Sequence, residues 1–119
     1  MEKLRGERRV LDRQDIEQSI IPSGVFYAHG HMYKWYDTRV SGTVRHEVFF
    51  GTANRKKSIQ FRLYVFIKPE DHNMTALGVH GRYGAEFNRH LKQIGQKTAM
   101  SVYGWSEEEF IKVFGKSYI

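Results

Sequence analysis

The segment from residue 43 to residue 80, TVRHEVFFGTANRKKSIQFRLYVFIKPEDHNMTALGVH, decides the fold of this chain. Residues 43–50 are rich in β-branched and aromatic side chains, as are residues 62–67, and both runs predict β-strands. Between them, residues 51–58 contain glycine, asparagine and consecutive cations, which predicts a polar loop. Pro69 fits the first turn of a helix, and Glu70 and Asp71 suit its positive end, so we expect a helix after the second strand.

Three histidines stand at the ends of these elements: His46 in the first strand, His72 in the expected helix and His80 after it. Imidazole is a good ligand for borderline transition metals and titrates near neutral pH, so it can hold a metal or act as a base. Hydrolysis of a phosphodiester needs a water, a base to activate it and a cation at the leaving oxygen. In a regular strand His46 and Glu47 point to opposite faces, so both reach one site only if the strand twists or bulges there.

This order of strand, loop, strand and helix, with its histidines, resembles the ββα-metal core of HNH nucleases. More narrowly, it is similar to small phage and prophage HNH-type proteins. The segment GVHGR at residues 78–82 and the ending FGKSYI at residues 114–119 are also similar to sequences of that group. The resemblance implies an α+β fold in a single domain, 1–119, with an N-terminal β-hairpin, an HNH-like ββα-metal core over residues 43–80 and C-terminal helices over residues 85–114.

The resemblance also implies one divalent metal ion (Mg²⁺, Mn²⁺, Ni²⁺ or Zn²⁺) and a set of site residues. The implied metal ligands are His46, His72, His80 and Asn73, and the implied catalytic residues are His46, Glu47 and Asn54. Either Asn54 or Asn73 is the structural or ligating asparagine, and the two alternatives stay open.

The pair His46-Glu47 departs from the His-His or Asp-His pair that many members of the family carry on the first strand. If Glu47 is the base, its ordinary pKa of about 4.3 makes it a weak one at neutral pH unless its site tunes it. Alternatively His46 is the base, and Glu47 orients it or reaches the metal.

Composition favours a polyanionic partner, because the formal net charge is +6. We expect DNA as the partner, contacted by Arg45, Arg55, Lys56, Lys57 and Arg82, although a merely solvated loop would have a similar composition. The chain has no cysteine, which excludes disulfides and thiolate zinc sites. Many HNH proteins carry cysteine pairs around this core, so the resemblance here implies a scaffold without structural zinc.

The termini and the hydropathy suggest where the protein resides. No apolar run approaches the length of a membrane span, and residues 1–6 lack the apolar region of a signal peptide. We therefore expect a cytoplasmic protein, in the host cytoplasm if it is encoded by a phage, and make no prediction of its oligomeric state. Residues 1–13 are predicted to be a charged arm that is either solvated or follows DNA.

Residues 25–36 predict an aromatic β-hairpin that turns at His29-Gly30-His31. Two helices are expected near the C-terminus, one from about Ala85 to Met100 with His90 facing solvent, the other from Glu107 to Phe114. Gly104 is expected to end the first of them, and Ser106 with Glu109 to form a capping box for the second. Phe110, Ile111 and Phe114 are expected to dock the last helix.

Three functions are compatible with these features. The first is a metal-dependent HNH-like DNA endonuclease or nickase of phage origin. The second is a phage accessory protein that binds DNA on the same scaffold without catalysis. The third is a protein-binding regulator whose histidines are structural.

Overall fold

The computed structural model describes residues 17–119, so the predicted arm at residues 1–13 lies outside the described part of the chain. The fold is mixed α+β. Its strands are β1 (Gly24–Ala28), β2 (His31–Trp35), β3 (Val44–Glu47) and β4 (Tyr64–Ile67), and its helices are α1 (Thr52–Gln60), α2 (Ala85–Tyr103) and α3 (Glu107–Phe114). The strands form two antiparallel pairs, β1 with β2 and β3 with β4.

The first pair is the predicted hairpin, which the structure confirms. Its two-residue turn is His29-Gly30, with φ angles of 54° and 69°, as a type I′ turn requires. The inner face of the hairpin packs on α2, where the Tyr33 ring stacks 4.2 Å from that of Phe87. The prediction that His90 faces solvent is wrong, because its ring stacks on Phe26 at 4.4 Å.

The second pair is joined by helix α1, so the prediction of a loop over residues 51–58 is wrong. Arginine and lysine are good helix formers, so this polar segment can be helical. Because only one small residue of the helix is buried, its composition is the same as that of a solvated loop. That residue is Ser58. Its hydroxyl donates a hydrogen bond of 2.6 Å to the Phe49 carbonyl and accepts one of 3.1 Å from the Phe49 amide. The helix thus supplies hydrogen-bond partners for both buried backbone groups of Phe49.

Where a helix was expected after β4, the chain forms a single π-helical turn, Glu70–Met74. The turn ends because Thr75 is extended, with φ of −136°, and its hydroxyl donates to the Glu70 carbonyl at 2.8 Å. Residues 75–84 then fold back on the turn. Gly78 allows this close approach, since a Cβ atom there would lie 2.8 Å from the His72 carbonyl oxygen.

The C-terminal helices largely follow the prediction. Helix α2 runs three residues past the expected Met100 and ends at Gly104, which has a left-handed φ of 69°. The capping box of Ser106 and Glu109 at the start of α3 is confirmed.

Two phenylalanines dock helix α3, Phe110 and Phe114, and both are buried. Ile111 was expected to dock with them, but its side chain is 37% exposed, so that part of the prediction is wrong. The core fills the space between the strand pairs and the helices, and its largest fully buried apolar side chains are Tyr33, Phe49, Phe66, Phe87, Phe110, Ile21, Leu63, Ile67 and Leu91. Over residues 17–119, no helix has both the length and the apolarity needed to cross a membrane.

Candidate metal centre

Three imidazoles from distant parts of the chain meet in one place: those of His46, His72 and His80. One ring nitrogen of each lies within 4.8 Å of the chosen nitrogens of the other two. The ring centroids are 5.2 Å apart for His46 and His72, 5.5 Å for His46 and His80, and 4.8 Å for His72 and His80. The structure thus brings together the three histidines expected as metal ligands, and we call them the histidine triad.

His46 forms the inner wall of the triad. It lies in β3 opposite Val65 of β4, and its side chain is almost completely buried, with 1% of its surface exposed. Its Nε2 atom has no hydrogen-bond partner. Buried polar atoms are nearly always paired, so this nitrogen is suited to a ligand that completes its coordination.

The other two histidines are held together by the backbone. The His80 amide donates a hydrogen bond of 3.0 Å to the His72 carbonyl, and the Val79 amide donates one of 2.7 Å to the Asp71 carbonyl. Glycines make room for this packing: a Cβ atom on Gly84 would lie 1.8 Å from the Gly78 carbonyl oxygen. The π-helical turn and residues 75–84 therefore form one compact unit that presents both imidazoles.

The surroundings favour the neutral form of the three imidazoles. Burial, followed by the nearby His72 and His80, holds the pKa of His46 well below its usual range. Burial also lowers the pKa of His72 and of His80. Because only the neutral imidazole offers a lone pair to a metal, these shifts favour metal binding near neutral pH.

The triad fits a divalent metal ion. Nitrogen ligands bind Zn²⁺ at about 2.0–2.1 Å, which places two of them about 3.3 Å apart in a tetrahedral site. The nitrogens of the triad lie within 4.8 Å of one another, so the three side chains could hold one ion if the rings of His72 and His80, which are more exposed than His46, moved closer together. Three protein ligands with an open side are typical of a catalytic zinc site rather than a structural one.

Glu47 borders the same site. Its carboxylate raises the pKa of His72, whereas burial and His80 lower that pKa. Strand alternation predicts that the Glu47 side chain faces away from His46. Both residues lie inside β3 in regular register with β4, where His46 pairs with Val65 and Glu47 pairs with Tyr64. Arg45 Nε donates to one carboxylate oxygen at 2.8 Å, and Arg55 Nε lies 3.7 Å from the other.

The two candidate asparagines occupy different surroundings. The Asn54 side-chain amide donates to the Phe114 carbonyl at 3.1 Å, so it joins α1 to the end of α3. This contact corresponds to the structural alternative for Asn54 and leaves its catalytic role without a supporting contact. Asn73 is exposed in the same turn as His72, and its role as a ligand stays a prediction.

The cations expected to contact DNA fall into two groups, those with partners within the fold and those exposed to solvent. Lys57 Nζ donates to the Val113 carbonyl at 2.7 Å, and Arg45 donates to Glu17 and Glu47 at 2.6 Å and 2.8 Å, so both already have partners within the fold. Three others are exposed to solvent: Arg55, Lys56 and Arg82. Arg55 and Lys56 line an open depression together with Gly51, Thr52 and Ile59.

Sequence reasoning missed one contact that supports the triad. His31 Nε2 lies 2.8 Å from Oδ1 of Asp71, and the Asp71 carboxylate is buried beside His72. From the sequence, His31 is expected in the hairpin turn, where its spacing from His29 could alternatively hold a metal, and Asp71 is expected as a charge at a helix start. The sequence carries no local signal for this pair, because the partners are 40 residues apart.

Comparison of the chain with protein-family models, with curated proteins and with solved structures finds no match.

Proposed function

We propose that this protein is a metal-dependent, HNH-like DNA endonuclease or nickase of phage origin that hydrolyses phosphodiester bonds. The observation that carries the proposal is the convergence of three imidazoles on one point, with the buried Nε2 of His46 lacking a partner. The pairing of β3 with β4, followed directly by the turn that bears His72, supports a ββα-metal arrangement whose helical part is shortened to one turn.

In this proposal His46, His72 and His80 hold one divalent ion through neutral imidazole nitrogens. Such donors favour Zn²⁺ or Ni²⁺, whereas Mg²⁺ and Mn²⁺ prefer oxygen ligands. The ion, when bound, supplies a Lewis acid for the phosphoryl oxygens and the leaving group. The buried wall formed by His46 excludes water behind the site, so substrate approaches from the side of His80, the exposed member of the triad.

Glu47 is the candidate base, since a carboxylate at the edge of the triad can accept a proton from the attacking water. Its carboxylate is held in place by a hydrogen bond of 2.8 Å from Arg45 Nε. Arg55 and Lys56, exposed on α1, are the side chains best placed to bind the phosphate backbone of DNA.

The experiment that tests the proposal is cleavage of supercoiled plasmid with Mg²⁺, Mn²⁺, Ni²⁺ or Zn²⁺. We expect nicked or linear product that disappears with EDTA and with His46→Ala. The matched control is His29→Asn, which removes an exposed imidazole from the hairpin turn, tolerates the φ of 54° there and should retain full cleavage. Lack of cleavage by the wild-type protein with every one of these metals would overturn the proposal.

A DNA-binding accessory protein without catalysis is the second candidate. The observation that favours it is the pairing of Glu47 with two arginines, which leaves its carboxylate less available as a base. Duplex binding that weakens steeply with salt, without cleavage under any metal, would establish this alternative.

A further inference from the structure

Lys92, on helix α2, places its ammonium group against an aromatic wall beside the histidine triad. Its Nζ atom lies 4.4 Å from the Phe50 ring centroid and 5.2 Å from that of Tyr118. The Phe50 ring is in turn 4.9 Å from the ring of His80. The positive charge of Lys92 contributes to the lowered pKa of both His46 and His80.

No carboxylate among residues 17–119 forms an ion pair with Lys92. The nearest cation that perturbs it is Lys116, which lowers its pKa after burial does, and whose ammonium lies 5.2 Å from the same Tyr118 ring. Arg55 acts on the triad from helix α1. The site is therefore bordered by cations from two different helices.

We propose that Lys92, assisted by Lys116, forms an anion subsite that receives a DNA phosphate next to the histidine triad. The inference rests on DNA being the substrate, as in the proposed function, and adds a binding residue from the C-terminal half of the chain. Arg55 and Lys92 then bind the strand on two sides of the triad.

The physical argument is one of charge balance. A half-buried ammonium loses part of its hydration. Cation–π attraction to the faces of Phe50 and Tyr118 offsets part of this free-energy cost. A phosphate oxygen would stabilise the ammonium more than the rings do, because a charge-assisted hydrogen bond is strong where neighbouring rings exclude water. Contact with the two rings also restricts the long side chain before binding, so less conformational entropy is lost when the phosphate binds.

The competing explanation is that Lys92 only packs on the rings. We would therefore measure duplex binding by fluorescence anisotropy across a salt series, with EDTA present so that no metal contributes. Lys92→Met should lower the slope of log Kobs against log salt by about 1, the change expected for one lost phosphate contact. Between 50 and 200 mM salt, the variant would then lose about 4-fold less affinity than the wild type.

Lys97→Met is the matched control, because it removes the same charge from an exposed position on the same helix. It should keep the wild-type slope, and Lys92→Arg should restore that slope. Lys92→Gln, measured in parallel, provides a second neutral variant in case one of them folds poorly. Equal slopes for the wild type and both neutral variants would overturn the inference, as would the same reduction in Lys97→Met.

This result is separable from the test of nuclease activity. A wild-type protein that binds duplex with the predicted Lys92 dependence but never cuts would overturn only the nuclease. A protein that cuts DNA while Lys92→Met keeps the wild-type slope would overturn only the subsite. Absence of duplex binding by the wild type would overturn the subsite, whatever the cleavage assay shows.

Discussion

The amide of His80 donates a hydrogen bond of 3.0 Å to the carbonyl oxygen of His72, so two members of the triad are joined by the backbone. Their separation therefore depends on the local fold of residues 70–84 rather than on the position of the strands. His46 comes from β3 and completes the triad from the other side. The site consists of one rigid loop unit docked on one strand residue.

Gly78→Ala should disturb this unit. A Cβ atom at Gly78 would lie 2.8 Å from the His72 carbonyl oxygen and 3.1 Å from that of Glu70, and backbone atoms cannot move aside as a flexible side chain can. We expect a loss of about 1–3 kcal/mol in the free energy of unfolding, together with weaker Zn²⁺ or Ni²⁺ binding in calorimetric titrations.

The control for that variant is Gly42→Ala, which strains a backbone with φ of 82° in open space far along the chain. It should also lose stability but keep the metal affinity of the wild type. If Gly78→Ala and Gly42→Ala bound metal equally well, the loop would not determine the geometry of the triad.

His31 should support the triad through Asp71. Removing the imidazole in His31→Ala leaves a carboxylate that is 4% exposed without its partner at 2.8 Å, which costs about 1–3 kcal/mol. His31→Gln keeps a donor at a similar distance and should recover part of the loss. Urea unfolding would measure both variants. Equal stability of the alanine and glutamine variants would show that the hydrogen bond contributes nothing.

His46→Leu should stabilise the metal-free protein while abolishing metal binding. The substitution removes a buried nitrogen that has no hydrogen-bond partner, and an unsatisfied buried polar group costs about 1–3 kcal/mol. We expect a higher urea midpoint without metal and no increase of that midpoint when Zn²⁺ or Ni²⁺ is added.

His72→Leu is the comparison for that experiment. Its imidazole is only half-buried, so the variant should lose metal affinity without gaining stability. A metal-free His46→Leu protein that is less stable than the wild type would mean that the imidazole is satisfied in solution.

The metal-free protein should lose stability on acidification. Burial holds the pKa of His46 below its unfolded value of 6.5. Below pH 6.5 the unfolded chain therefore binds a proton at this residue more readily than the folded chain does. The contribution is fully present above pH 6.5 and decreases as the pH falls toward the lowered pKa, by up to about 1.4 kcal/mol per pH unit. The lowered pKa values of His72 and His80 act in the same direction.

Urea unfolding between pH 7.5 and pH 5.5, with EDTA present, would measure this dependence. His46→Leu should make the dependence shallower, because its side chain does not titrate, and the part due to His72 and His80 should remain. A wild-type stability that is constant or rises over this fall in pH would contradict the lowered pKa values.

Local chemistry predicted the elements that have local signals. The turn at His29-Gly30 and the capping box of Ser106 and Glu109 are short-range features, and the structure has both. The region around α1 was mispredicted because its buried side is a single serine, Ser58. A polar helix and a polar loop have the same composition, and only the contact of Ser58 with Phe49 distinguishes them.

The candidate site shows the same division. The expected ligands His46, His72 and His80 do converge, whereas Lys57 and Asn54 bond to carbonyls at the end of α3. Nothing in the neighbouring residues distinguishes Lys92 from Lys97, the other lysine of α2. Its proximity to the triad arises from the packing of α2 against Phe50.

The sequence by itself determined the chemical inventory: a basic chain without cysteine, with imidazoles as nitrogen ligands for borderline metals, and with the turn and cap residues that end its elements. Only the tertiary structure decided which of those groups meet. Hydrogen bonds and packing across tens of residues bring His46 to His72, His31 to Asp71 and Lys92 to Phe50. Such contacts depend on how the whole core packs, and no local pattern of residues encodes them.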